Sequence, residues 1–286
     1  MATITFLGRN DDWENLDNWS GHALPVDDDD VVVPETAKSS LMRHLNRRGD
    51  SGGAGLDLNS WYVHPGYRGN IGCEGNPLRC IVQNAAALGK LSISHEGSGR
   101  FYYSAESGTG INTTAHIAMT GAPGTSRMIL SGDSYSGDLY INRGALEMSP
   151  LCTDPPGSVW LGAYAPYARD AVLVAHSMGA LDIDDLYVLG GRAMIACNIS
   201  HAYLRGGSLT QNNNRIVYAH VGGSAQCIYN SSDNITAMYL YSGLLDFNRT
   251  ANAKTITSFY QWGGVFRRNG ATTVTTERSL GLPVRA

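Results

Sequence analysis

Residues 190–223, GGRAMIACNISHAYLRGGSLTQNNNRIVYAHVGG, contain three glycine doublets that recur at an interval of sixteen residues. After Gly207 and Gly223, polar and apolar residues alternate over a few positions, which is the pattern of short β-strands that bury one face. Glycine accepts the positive φ angles that a sharp bend between two short strands requires. The stretch therefore predicts short strands that are stacked through a repeated glycine turn.

The same phrase, a glycine with apolar residues two and four positions after it, recurs along most of the chain. Clear instances begin at Gly89, Gly144, Gly179 and Gly243, Gly207 keeps the apolar residue at the second position only, and looser instances begin at Gly99, Gly191 and Gly264. A repeat of sixteen to about twenty residues is typical of a coiled sheet whose turns stack on one another. We therefore predict a right-handed parallel β-helix over residues 56–270. An antiparallel β-sandwich or jelly roll is the alternative, because hairpins also produce such phrases.

The composition excludes several classes of protein. The chain has 286 residues, of which 34 are glycine, yet the glycines follow no collagen-like period. A hydrophobic content of 43% argues against a disordered chain. The net charge of -4 predicts no nucleic-acid partner, and without a run of about 18 apolar residues we predict no membrane span. Helical patterns are scarce, and Ser39–Arg48 is the best candidate for a helix.

No cofactor or metal site is predicted. The five cysteines contain no C-x-x-C pair, and Cys73 and Cys80 are close enough in sequence to meet across a turn, so their pairing stays open. Cys197 and Cys227 alternate with apolar neighbours and are predicted to be buried thiols. The acidic run Asp27–Asp30 lacks the spaced ligands of a calcium loop and is interpreted as a solvated turn.

The N-terminal segment differs from the repeat. Trp13 and Trp19 are predicted to cover the open first turn, since a solenoid needs a cap at its end. A strand at Val31–Val33 follows. We divide the chain into an N-terminal cap and basic arm (1–55), a β-solenoid body (56–270) and a C-terminal tail (271–286).

The order of residues in this cap resembles the N-terminal motif of bacteriophage virion proteins and related β-helix surface proteins. The motif consists of Trp13, Asn18-Trp19-Ser20, Pro25 and the run Asp29-Asp-Val-Val-Val33, so the likeness covers about the first 34 residues. It implies a structural virion subunit, such as a capsid decoration, cement or head-fibre protein. The implied state is a homotrimer that binds the major capsid protein or other virion subunits.

The first residues, MATITFLGRNDDWEN, lack the basic and apolar regions of a secretory signal peptide. We therefore expect synthesis in a host cytoplasm without Sec export, and location on the capsid surface.

Catalysis is not predicted, but one pair of carboxylates is the alternative. Asp182 and Asp184 alternate with apolar residues and would share one face of a strand, about 7 Å apart. Such a pair suits a polysaccharide lyase or glycoside hydrolase, with tyrosines as a platform for host-surface glycans. Ser177 resembles the nucleophile of an α/β-hydrolase elbow, but a strand pattern follows it where that fold needs a helix.

Two groups of residues are candidates for contact with a partner. Arg43, Arg47 and Arg48 form the only dense basic cluster and could dock on an acidic surface. Leu280, Leu282 and Val284 would give the tail an apolar contact.

Overall fold

The computed structural model describes residues 2–26, 28–45, 58–81, 92–106, 114–132, 137–152, 156–163, 170–176 and 182–280. Two short 3-10 turns, Leu16–Asn18 and Ser20–His22, lie in these ranges, and Asp170 has 3-10 conformation directly before a strand. Everything else that is regular is β-strand, and 22 strands join in one parallel system.

The strands alternate between two faces, here called sheet 1 and sheet 2. Sheet 1 contains β1 (Thr3–Thr5), β2 (Asp30–Val33), β3 (Ser60–Val63), β5 (Ser92–His95), β7 (Thr114–Ala118), β10 (Ser158–Leu161), β12 (Asp182–Val188), β14 (Asn198–Leu204), β16 (Ile216–Val221), β18 (Ile235–Leu240), β20 (Lys254–Gln261) and β22 (Thr272–Ser279). Sheet 2 contains β4 (Leu78–Ile81), β6 (Arg100–Glu106), β8 (Arg127–Gly132), β11 (Ala171–Ala175), β13 (Arg192–Ile195), β15 (Ser208–Gln211), β17 (Gln226–Tyr229), β19 (Leu244–Asp246) and β21 (Val265–Arg267). The long strand β9 (Leu139–Cys152) runs through both faces.

Successive turns of the coil pair in parallel and in register, which confirms the predicted parallel β-helix. Strand β12 pairs with β14, β14 with β16 and β16 with β18, and every pairing between these named strands is parallel. An antiparallel sandwich is excluded, because its neighbouring strands would run in opposite directions. The parallel sheet also extends beyond residues 56–270, since β1, β2 and β22 belong to it.

The apolar positions of the glycine phrase face the interior of the coil. After Gly207 the side chain of Leu209 is completely buried, and after Gly243 the same holds for Leu245 and Phe247. Thr210 lies partly exposed beside Leu209, whereas Asp246, between Leu245 and Phe247, is itself buried. A single apolar core therefore runs along the axis, and each turn adds a layer to it.

The strands of sheet 1 depart from strict alternation at one place. In β12, Asp184 and Asp185 face outward together between the buried Ile183 and Leu186. The strands β14 and β16 repeat this pattern of two adjacent outward residues. A second outward residue bends the strand, so it rounds a corner of the coil without losing its register.

The corner between the two sheets is made by the glycines. The second glycine of each doublet has a positive φ, with values of 73° at Gly191, 67° at Gly207 and 60° at Gly223. Turns stack so closely here that a Cβ on Gly223 would lie 2.0 Å from the Arg205 carbonyl oxygen. Only glycine satisfies both conditions.

Asparagines hold the opposite corners together along the axis. The side chain of Asn230 donates to the Asn212 side chain at 3.1 Å, and that of Asn214 donates to the Ala196 carbonyl at 2.9 Å. The amide oxygen of Asn198 accepts the backbone N–H of Arg215 at 3.1 Å. Because each bond joins two successive turns, these polar segments are structural corners.

The N-terminal end of the coil is closed by aromatic side chains. Trp19 is completely buried and donates from Nε1 to the Trp13 carbonyl at 2.7 Å, while the Trp13 ring stacks on Trp61 at 6.0 Å. The interpretation of the acidic run as a solvated turn is wrong for Asp29. Its side chain is buried and accepts the backbone N–H groups of Ala2 and Val26. It therefore ties the first strand to the cap.

The predicted helix at Ser39–Arg48 is wrong for the part that the structure describes. Residues 39–45 contain no helix, and Leu41 bridges Ile71 of the next turn. Leu41 and Leu45 are both buried in the core. Burial against the neighbouring turn therefore overrides a weak helical preference.

Candidate functional surfaces

The outer face of sheet 1 carries a column of aromatic side chains, one from each of eight successive turns. We call it the aromatic ladder, and it consists of His116, Tyr140, Trp160, Tyr187, Tyr203, His220, Tyr239 and Tyr260. Each ring occupies the position directly paired with the ring before it. Parallel strands in register place paired residues about 4.8 Å apart, which is close to an aromatic stacking distance.

The rings lie nearly parallel to one another. Trp160 and Tyr187 have centroids 3.8 Å apart at an interplanar angle of 7°, and His220 and Tyr239 are 4.4 Å apart at 4°. Each ring inside the ladder therefore covers the faces of its neighbours. Ring edges, hydroxyls and ring nitrogens are the parts that remain for a partner, so the tyrosines do not offer the open faces on which a sugar would stack.

Further rings widen the ladder at its C-terminal half. His201 stacks on Tyr218 at 5.1 Å, and Tyr241 stacks on Trp262 at 4.9 Å. Tyr241 and Trp262 are among the most exposed large apolar side chains that the structure describes, at 46% and 40%. Together with the ladder they form a broad aromatic surface.

Much of the ladder is uncharged at neutral pH. Burial, helped by the nearby His201, lowers the pKa of His220. Burial also raises the pKa of Tyr187 and of Tyr239 above the ordinary value of tyrosine. The ladder is thus a rigid surface with hydrogen-bonding edges and little charge.

The outer face of sheet 2 contains a cleft of about 460 Å³. Arg100, Tyr102, Arg127, Ile129 and Glu147 line its floor, and Leu151 stands at its side. Arg100 and Arg127 occupy paired positions on β6 and β8, and Tyr102 pairs with Ile129 in the adjacent outward column. We call this cleft the sheet 2 groove.

Glu147 is the centre of a charged network in the groove. Its Oε2 accepts from Arg127 Nη1 at 2.6 Å, and its Oε1 lies 3.1 Å from Nε2 of His176. Burial alone would raise the pKa of Glu147, but the hydrogen bonds from Arg127 and His176 hold it below the usual value. Both carboxylate oxygens are therefore engaged and the group is ionised at neutral pH.

The structure describes the side chain of only one member of the predicted carboxylate pair, Asp182 and Asp184. Asp184 is exposed at the bend of β12, while the side chain of Asp182 lies outside the described residues. The neighbouring Asp185 is 3.5 Å from Nδ1 of His201, one turn away. The joint role of Asp182 and Asp184 stays a prediction, and Ser177 also falls outside the described residues.

The predicted partner contacts have different surroundings. Arg43 forms an ion pair with Asp11 at 2.9 Å, so the N-terminal cap itself binds this guanidinium. Leu280 is exposed at 53% and its backbone N–H bonds to the Gln261 carbonyl. Arg47, Arg48, Leu282 and Val284 lie outside the described residues, so their roles remain predictions.

The described residues also bear on the predictions about metal ions, cysteines and membrane spans. The described residues contain no cluster of three or more His, Cys, Asp or Glu side chains placed to hold a metal ion. Cys73 is a free thiol, and the side chain of Cys80 is not described. Cys197 and Cys227 are buried as predicted, and burial raises the pKa of Cys227 to about 12. No helix in the described ranges is long and apolar enough to cross a membrane.

Neither the aromatic ladder nor the sheet 2 groove was predicted from the sequence, although the sequence contains a pattern that indicates the ladder. Tyr187, Tyr203, His220 and Tyr260 each stand two or three residues before a glycine doublet. A recurrent aromatic at a fixed place in a stacked repeat predicts a column of rings. The sequence carries no such signal for the groove. Its lining residues belong partly to the strands and partly to the loops beside them, and they do not recur at a fixed position of the repeat.

Comparison with protein-family models, with curated proteins and with solved structures finds no match to this chain.

Proposed function

We propose that this protein is a non-enzymatic structural subunit of a virion and that the aromatic ladder is its main protein-binding surface. The observation that carries the proposal is the continuous stack of eight rings on the outer face of sheet 1. Aromatic side chains are enriched in the centres of protein interfaces, where they supply large contact areas.

The stacking prepares the ladder for binding. A side chain that is already held between two neighbours loses little rotamer freedom when a partner covers it, so association costs less entropy. The hydroxyls and ring nitrogens along the ladder edge can bond to a partner without burying a full charge. These properties suit a surface that forms a permanent contact.

The proposal of a virion subunit draws on the N-terminal likeness to bacteriophage virion proteins. The ordered cap at Trp13 and Trp19 and the long regular coil are compatible with a capsid decoration or head-fibre protein. A homotrimer on the major capsid protein is the proposed assembly, because a flat lateral face is readily repeated around a symmetry axis.

Mass spectrometry of purified particles tests the proposed location. We expect the protein in intact virions, with hundreds of copies for capsid decoration or a few dozen for a fibre. Its absence from particles would overturn the virion assignment.

Substitution in the ladder tests the proposed surface. The double variant Tyr203→Ser/Tyr239→Ser should bind capsids that lack this protein at least tenfold more weakly than wild type does. This loss corresponds to about 1.4 kcal/mol of binding free energy. Thr210→Ser, on the outer face of sheet 2, is the control and should bind normally. Equal binding by the ladder variant with an unchanged melting temperature would show that another surface makes the contact.

A carbohydrate-active protein is the second candidate, and the observation that favours it is the exposed Asp184 at the bend of β12, beside the Asp185–His201 pair on sheet 1. Release of reducing ends or unsaturated products from host polysaccharide, abolished by Asp182→Asn or Asp184→Asn, would establish an enzyme in place of a purely structural protein.

A further inference from the structure

The sheet 2 groove has features of a built site that the proposed role of the ladder does not use. It lies on the other face of the coil, where β6, β8 and β9 supply its floor. A smaller cleft of about 240 Å³ shares Arg127 and Glu147 with it and continues to Arg192 and Met194. The combined groove therefore runs along the axis over several turns.

Charges of both signs line this groove. Arg127 is bound by Glu147, but Arg100 directly beside it is exposed and forms no ion pair with any residue that the structure describes. Glu74 stands exposed at the rim. In the larger cleft, two guanidiniums and two carboxylates thus offer both donors and acceptors, and Arg192 adds a third guanidinium at the far end of the combined groove.

Apolar groups stand between these charges. Tyr102 and Ile129 are neighbours on the floor, and no ring contact to another aromatic is found for Tyr102 within the described part of the chain. Leu151, at 69%, is the most exposed large apolar side chain among the described residues and borders the same cleft. The groove therefore combines apolar patches with directional polar groups, as ligand sites generally do.

We propose that the sheet 2 groove binds an oligosaccharide, with the sugar chain lying along the axis of the coil. Hydroxyl groups of a sugar both donate and accept, which matches Glu74 and Glu147 as acceptors and Arg100 and Arg127 as donors. The apolar face of a sugar ring fits against Tyr102. This binding site lies apart from the ladder and is independent of it.

The chemistry of the groove disfavours other ligands. An extended peptide adds to a free strand edge, but the floor consists of strands whose backbones are bonded on both sides within sheet 2. A phosphate dianion would gain little net attraction in this cleft, because the carboxylates of Glu74 and Glu147 offset the guanidiniums of Arg100 and Arg127. A polyhydroxyl ligand meets neither obstacle.

The groove binds the sugar without cleaving it. Glu147 is ionised and both of its oxygens are engaged by Arg127 and His176, so it holds no proton for a leaving group. Hydrolysis of a glycosidic bond requires a protonated acid beside the bond. Glu147 therefore acts by positioning Arg127 and by accepting a sugar hydroxyl.

The test uses a printed array of neutral and uronate-containing oligosaccharides, followed by calorimetric titration with the strongest binder. We expect Arg100→Ala and Tyr102→Ala each to raise the Kd at least tenfold. Thr210→Ala is the matched control, because Thr210 lies outward on β15 of the same sheet but outside the groove. Mass spectrometry of the recovered ligand should show an unchanged chain length.

Several results would overturn the proposal. They are the absence of binding to any arrayed sugar by folded wild-type protein, an unchanged Kd in both groove variants, displacement of the sugar by stoichiometric inorganic phosphate, or shortening of the ligand. Capsid binding by the same groove variants should stay normal, so failure here is distinguishable from failure of the proposed virion role.

Discussion

At the scale of single residues, His95 is the buried titratable side chain with the clearest consequence. The ring is 1% exposed and packs edge-on against Phe101, with centroids 5.7 Å apart. Burial lowers the pKa of His95 to about 4, against a smaller opposing effect of the Gly99 backbone. The folded protein therefore holds a neutral imidazole in its core at neutral pH.

The low pKa of His95 predicts a loss of stability in acid. Between about pH 6.5 and 4 the unfolded chain takes up a proton that the folded chain does not, so the free energy of unfolding should fall by up to roughly 3 kcal/mol. Above the unfolded pKa this penalty is absent. Urea titrations near neutral pH and near pH 4 measure it, and His95→Leu should show a smaller dependence.

The control for this effect is the exposed His116, whose substitution by Gln should keep the full pH dependence. An equally steep acid destabilisation in His95→Leu would mean that carboxylates of the native state cause it.

At the scale of elements, the repeated turn between the two sheets carries the architecture. Its glycines combine a positive φ with contact to the turn below, as Gly207 shows with φ 67° and only 2.4 Å from an added Cβ to the Gly191 oxygen. The strands on either side need an apolar inward face, which alternation supplies apart from the two adjacent outward residues of β12, β14 and β16. A change in backbone conformation at this corner would shift the register of the strands that follow it. The rings of the aromatic ladder would then no longer lie at paired positions.

Substitution of one corner glycine should lower the stability of the folded protein. Gly223→Ala forces a side chain into the left-handed region and against the Arg205 carbonyl, so we expect a loss of at least about 2 kcal/mol in the free energy of unfolding. Gly270→Ala is the control, because an added Cβ there meets no atom within 4 Å, and its effect should stay within about 0.5 kcal/mol. Equal melting temperatures of the two variants would refute this account of the corner.

At the scale of the whole molecule, the two ends of the coil differ. The N-terminal end is closed by Phe6, Trp13 and Trp19, which pack on one another. The last strand, β22, is mostly exposed, and Glu277 there pairs with Arg268 at 3.2 Å. Charged side chains on such a strand hinder addition of another strand to the open end.

Because each turn contacts only its neighbours, damage to the cap should stay local. Trp19→Ala should destabilise the first turns by about 3–5 kcal/mol. Hydrogen exchange with mass spectrometry should show lost protection in β1 to β3 and unchanged protection in β14 to β18. Trp262→Ala, at an exposed site, is the control and should leave β1 to β3 protected. Uniform deprotection would instead indicate that the coil unfolds as one unit.

From the sequence alone, the glycine phrases and the alternation after them determine short strands with one buried face and favour a coil, since they prescribe local conformation and which side chains point inward. The parallel direction of the pairing, which excludes the antiparallel alternative, came from the tertiary structure. The tryptophans before Val31–Val33 likewise indicate an aromatic N-terminal segment. The surfaces needed the tertiary structure. The ladder depends on a register that aligns rings some sixteen to twenty residues apart, and the groove joins Arg100, Arg127 and Glu147 from three successive turns. The physical reason is that inward and outward positions are set within a strand, whereas neighbours along the axis are set only by stacking between strands.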